Sequence, residues 1–248
     1  MLPGPARMRA DGRGAHSRGE AAASVREVDL FTLSWSALRR AVAQLPDAAL
    51  ECPSGCEGWR VRDLVQHLSL QAQELLITLA TPADTSPTAD ALSWWTPAPT
   101  IPDGRSPHDA LLARVADAHD SAAQVREGFE HVAAAAARAA QLAHPDLPVT
   151  AGDRTLTVRD LLGALVLEAT LHHLDLIAPL PGAEAPPAEG LAAARELVER
   201  RLRIQLPGDW TDAEALRIAT GRAEATPAER AGLDELGVRG QMLPLSFG

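Results

Sequence analysis

At 248 residues the chain can bury a sizeable core, enough for one large domain or a domain with an appendage. A net charge of −10 and a pI near 5.2 leave no basic footprint for nucleic acid or an anionic membrane. Two cysteines, Cys52 and Cys56, are too few for a disulfide framework or a zinc ribbon, and no apolar run is long enough to span a bilayer.

Residues 1–25 are rich in Arg, Gly and Ala and lack the apolar stretch of a secretory signal. They read as a disordered leader, or as sequence ahead of a start at Met8, and the protein is expected in the cytoplasm with its thiols reduced. Asp29 to about Gln44 has helical periodicity and stops before Pro46. The turn-rich CPSGCEG then leads into Trp59–Leu79, where Val61, Leu64, Val65, Leu68, Ala72, Leu75, Leu76 and Leu79 form one stripe. Thr81–Arg105 is a long Pro-, Thr- and Ser-rich loop carrying Trp94 and Trp95; such length in a compact domain points to function or mobility. Ser106–Pro107 opens a third helix predicted to run to about Leu142, and the strand-like TLTV follows.

Leu161–Ala178, LLGALVLEATLHHLDLIA, is apolar nearly all round its wheel, which predicts a buried helix capped by Thr157 and stopped by Pro179 and Pro181. Within it stand Glu168, His172, His173 and Asp175, and burying such groups costs free energy unless they are paired or bind a metal. Glu168 and His172, four apart, project from one face, so they supply two of the three protein ligands of a helical metal site. The plainer reading is a buried ion pair with a neighbouring Arg, and His173 competes with His172 for the role. His67, on the second helix, falls beside its stripe, roughly 120° from the centre at 100° per residue.

Four long amphipathic segments predict an antiparallel four-helix bundle over residues 26–182. Residues 183–248 read as a smaller α+β appendage, with a helix at Leu191–Gln205, a short strand at Ala215–Thr220 and a last helix from Thr226.

Cys56–Leu68, CEGWRVRDLVQHL, resembles the C-x-G-W-x-V-x-D-L-x-x-H-L signature of the mycothiol-dependent maleylpyruvate isomerase family, within the DinB-like superfamily. Leu167–Leu176, LEATLHHLDL, is similar to that family's second signature, E-x-x-x-H followed by D-L, and TGR…TPAER…LPL resembles the C-terminal end of actinobacterial relatives. The resemblance implies a mainly α, DinB-like bundle that holds one divalent metal, typically zinc, through His67, Glu168 and His172. Two imidazoles and a carboxylate suit a catalytic zinc, and the same set admits Fe(II) or Ni(II). Asp63 and Asp175, one turn from His67 and His172, are expected to orient them, or to face solvent or an Arg. The implied second cofactor is mycothiol, the low-molecular-weight thiol of actinobacteria. That fits a GC-rich composition in which all 23 non-histidine basic residues are Arg.

The activity so implied is isomerisation of, or thiol transfer to, a small electrophile. A metal-dependent hydrolase without a thiol and a non-enzymatic metal- or ligand-binding module are the alternatives. Arg222, after the expected strand, is the candidate holder of a substrate carboxylate. The cleft is expected between bundle and appendage, roofed by the loop carrying Trp94 and Trp95; the plainer reading of those tryptophans is that they pack the loop onto the bundle. Small-molecule partners, no nucleic acid, no membrane, and a monomer or homodimer complete the expectation.

Overall fold

The computed structural model describes the backbone of residues 13–247, and the side chains of Glu27 and of residues 29–247. Four long helices form the bundle: α1 (Arg13–Ala43), α2 (Val61–Ala80), α4 (Ala122–Leu142) and α5 (Val158–Ile177), with the shorter α3 (Pro107–Asp117) ahead of α4. α1 packs on α5 and α4, and α2 on α4 and α5, so the four surround one core. Phe31 stacks on Trp35, Trp35 meets Phe129, and the Trp35 indole donates to the Ala133 carbonyl at 3.1 Å. Ala133, Ala136 and Ala140 on α4 keep the helices close there. Of the expected leader, residues 1–12 lie outside the described residues and residues 13–25 belong to α1.

α5 is apolar all round because it is sandwiched. One side, with Leu162, Val166 and Ala169, enters the bundle core. The other, with Leu167, Leu171 and Leu174, meets a second core built from α6 (Ala188–Leu202), α7 (Asp212–Ala219), α8 (Pro227–Glu235) and the C-terminal Leu243, Leu245 and Phe247. A short α9 (Val238–Gln241) precedes that tail. The chain is thus mainly helical, a DinB-like bundle with a smaller extension. No helix among the described residues is long and apolar enough to cross a membrane.

Three local expectations are corrected. The third helix is two: Ser121 interrupts it by taking an extended conformation and capping α4, its hydroxyl accepting from the Gln124 N–H at 3.2 Å. Ala215–Thr220 is helical, because Thr211 and Glu214 form a reciprocal capping box that starts a two-turn helix at Asp212. Its buried Ala215, Leu216, Ile218 and Ala219 follow helical spacing. The extended part of the appendage is the C-terminal tail, where Ser246 bridges Ala98.

The third correction concerns the loop after α2. TLTV pairs as β2 (Arg154–Thr157) with an unforeseen β1 (Pro148–Ala151) across a Gly152–Asp153 turn, Gly152 at φ +60°. The hairpin fastens the loop. Arg154 donates to the carbonyls of Ser93 (2.8 Å) and Trp94 (2.7 Å), and its guanidinium lies over the Trp94 ring. From the appendage, Arg201 donates to the Trp95 carbonyl at 2.8 Å. The long loop is a pinned wall rather than a loose flap.

Candidate metal centre

The CPSGCEG turn sets one edge of the site. The Gly55 N–H donates to the Asp175 carbonyl at 2.9 Å, and a Cβ on Gly55 would lie 2.7 Å from the Asp175 Cα. Only glycine allows the turn to touch α5 there, which brings Cys56 over its C-terminal half. Arg60 then starts α2, its N–H donating to Asp63 at 2.9 Å while its guanidinium holds both oxygens of the same carboxylate. Asp63 is therefore committed to Arg60, the second of its two expected roles, and does not orient His67. The rings of Trp59 and His172 each lie 5.0 Å from the His67 ring.

On α5, Glu168, His172 and Asp175 share one face, and that face meets His67. His172 Nε2 lies 3.0 Å from Glu168 Oε1, and His67 Nε2 lies 3.7 Å from the same oxygen. Gln71, one turn beyond His67, donates its amide to Glu168 Oε1 as well. Sequence reading missed Gln71, although its i+4 spacing from His67 was the available signal. His173 turns the other way, its Nε2 donating to the Glu184 carbonyl at 3.1 Å, so the competition between the two histidines resolves to His172.

Behind His172, its Nδ1 lies 3.1 Å from Asp175 Oδ2. That carboxylate also accepts from the Cys56 thiol at 3.2 Å and from Arg222 Nε at 2.9 and 3.1 Å. Arg222 follows α7 rather than a strand, and its Nε is spent on Asp175. Its two terminal amino groups have no partner among the described residues.

Two groups of donors among the described residues are close enough to share an ion: His67, Glu168 and His172, and Cys56, His172 and Asp175. The second is the poorer site. Asp175 is almost wholly buried and already neutralises Arg222, and burial pushes the Cys56 thiol up, away from the thiolate a metal needs. The first fits a divalent cation. Bonds of about 2.0–2.2 Å at tetrahedral angles separate neighbouring donors by about 3.3–3.5 Å, which the 3.0 and 3.7 Å spacings bracket. Three protein donors leave a position open for a ligand.

Residues 31–177 match the family model described as the mycothiol maleylpyruvate isomerase N-terminal domain. The chain belongs to this family. Comparison with curated proteins and with solved structures returns no match. The mycothiol maleylpyruvate isomerase match runs from α1 to the last residue of α5 and contains Cys56, His67, Glu168, His172 and Asp175. Arg222 comes from outside it, in the appendage.

Charges in the centre are set by proximity. Burial opposes ionisation of Glu168, yet the charge and hydrogen bond of His172, with His67, hold it well below the carboxylate range. Burial also opposes protonation of His172, but the Glu168 charge and the Asp175 hydrogen bond raise it well above an ordinary histidine. Burial lowers His67 despite the charge of nearby Glu168. His67 is thus neutral at physiological pH and ready to ligate, whereas His172 is an imidazolium until something replaces its Nε2 proton.

A cavity of about 390 Å³ opens on the centre. His67, Glu168 and His172 line it together with Cys56, His108 and Arg222, and the tail residue Phe247 helps to close it. It lies between bundle and appendage as expected, and the loop that carries Trp94 and Trp95 lines it through Ile101, Pro102 and Gly104, while the two tryptophans pack against the cores.

If Asp175 orients His172 for a metal, Asp175→Asn weakens metal binding by about 10–100-fold, the usual cost of losing such support. Chelator competition on the folded variant measures this, and an unchanged affinity would remove Asp175 from the centre.

Proposed function

We propose that the chain is a metal-dependent enzyme that uses mycothiol to isomerise, or to transfer the thiol to, a small electrophile. The observation that carries this reading is the convergence of His67, Glu168 and His172 in one cavity with Arg222, in a chain of the mycothiol maleylpyruvate isomerase family. A divalent cation, zinc by donor type, would stabilise a thiolate near neutral pH and polarise a carbonyl.

The chain's own residues supply the rest. Arg222 holds a substrate carboxylate through its two terminal amino groups, a planar fork suited to that partner. Asp175 fixes Arg222 and His172 at once, so the anion clamp and the ligand set keep a constant separation. His108 carries the cavity's third imidazole and stands outside the donor set, placed to take the thiol proton and return it. Phe247, Ile101 and Pro102 limit water around the reacting carbon. In isomerisation a C–S bond forms as the C=C π-bond opens, the resulting single bond rotates, and expulsion of the same thiolate restores the double bond. The thiol is returned and no oxidant or reductant is consumed.

The test is turnover of a cis unsaturated keto acid by zinc-loaded protein, with mycothiol titrated. The expected result is saturable dependence on the thiol, and Arg222→Ala should raise KM for the acid by about 10–100-fold, the value of a charged hydrogen bond at about 1.5–3 kcal/mol. Hydrolysis of ester substrates at the same rate without any thiol would assign the site to the hydrolase reading. Tight ligand binding with no turnover would make it a binding module.

A further inference from the structure

A second cavity, of about 290 Å³, also opens on His67 and Glu168, and every other residue lining it differs from the first. Leu75, Trp94, Trp95, Leu161 and Leu165 make it chiefly apolar, where the first carries Cys56, His108 and Arg222. The candidate ligands His67 and Glu168 therefore line both chambers, one of which has the guanidinium of Arg222 in its wall. We propose that the apolar chamber receives a ring-sized hydrophobic substituent of the electrophile, so that the substrate is an aryl- or branched-alkyl-bearing unsaturated acid rather than a wholly polar diacid. This substrate assignment rests on the thiol-dependent reading above.

Size supports a ring. A dry apolar cavity of about 150 Å³ accommodates benzene, so this one takes an aromatic ring with a substituent. Two buried polar atoms of its lining residues, Trp95 Nε1 and Gln71 Oε1, have no hydrogen-bond partner. Each unmatched atom is costly in apolar surroundings. The chamber is built in advance, because Arg154 and Arg201 fix the backbone carbonyls of Trp94 and Trp95 from two sides. With Arg222 holding the carboxylate in one chamber and the ring in the other, the reactive carbon falls at His67 and Glu168.

The experiment begins on metal-free, thiol-free protein labelled with 5-fluorotryptophan, with acetophenone as the probe: one ring and one acceptor. The five tryptophans give separate fluorine signals, assigned by single Trp→Phe variants. A saturable shift of Trp94 and Trp95, with Trp59 of the first cavity unmoved, is expected, as is at least tenfold weaker binding by Leu165→Phe. No shift, or a shift at Trp59 alone, overturns the chamber, and the wild-type pattern decides this even if Leu165→Phe fails to fold. The second arm compares aryl-substituted and unsubstituted unsaturated acids with zinc and mycothiol present. A kcat/KM preference of at least tenfold for the aryl acid is expected, and equal values overturn the substrate class. Thiol-dependent turnover without the Trp94 and Trp95 shift defeats the chamber alone. The shift without any thiol-dependent turnover defeats the thiol reading and the substrate assignment with it.

Discussion

Replacing His67 or His172 by alanine is expected to strip a divalent metal from the protein while leaving a folded chain. Protein purified without a histidine tag should carry about one metal per chain, and either variant less than about a tenth of that. The size of the effect follows from the count of donors. Losing a group that merely orients a ligand costs about 10–100-fold, and losing one of three ligands costs more. The two variants should differ in stability. His67 is neutral and partly exposed, with 22% of its side chain accessible, so its loss disturbs little. His172 stands between Glu168 and Asp175, and its removal leaves Glu168 with no cation among its neighbours. Breaking a buried pair in this way costs about 3–5 kcal/mol, so His172→Ala melts well below His67→Ala. Absence of metal from wild type after zinc is supplied and the excess removed, or retention in both variants, would reduce the centre to a buried ion pair.

The part of this centre legible in the sequence is the part written at helical spacing. Glu168, His172 and Asp175 recur at four and three residues, which places them on one face of α5 whatever surrounds it. The apolar wheel of Leu161–Ala178 likewise foretold a helix covered on every side, and the second core explains what covers it. Adjacent residues defeated that logic. His172 and His173 both fall within the apolar arc, and only the Glu184 carbonyl, outside the helix, decides which one faces the site. Asp63 had the right spacing for His67 but a nearer cation in Arg60. Asp175 and Arg222 are 47 residues apart and meet because α7 and the tail fold back on α5, a contact no periodicity reports. Ser121 shows the opposite failure: a capping signal was present, but the helix was read through it to the Ala-rich run at 132–141.

Metal uptake should release a proton and tighten with pH. In the metal-free protein the hydrogen on His172 Nε2 points at Glu168 Oε1, into the position a cation would occupy. Glu168 and Asp175 raise the His172 pKa well above its ordinary value, so that hydrogen is present at neutral pH and must leave. Below the folded His172 pKa, apparent affinity for zinc should therefore rise about tenfold per unit of pH and then level off. The same shifts act with opposite sign on the metal-free fold. Because its folded pKa is raised, the stabilisation from His172 is complete below about 6.5, its unfolded value, and is lost as pH rises through the folded one. Glu168 is depressed, so its contribution is complete above about 4.3 and is lost as pH falls through its lower folded value. His67 and His173, whose folded values are lowered, act with the opposite sign, but their gain is nearly complete above about 6.5. Raising the pH from about 7 to about 8.5 should thus lower the melting temperature of metal-free protein while widening the gap to the zinc-loaded form. Calorimetric titration of zinc in buffers of different ionisation enthalpy counts the proton directly. A pH-independent affinity with no proton released would mean that zinc binds without displacing the His172 hydrogen, and His172 would no longer be a ligand. The ion pair that stabilises the metal-free helix is, on this argument, also the competitor that a metal has to displace.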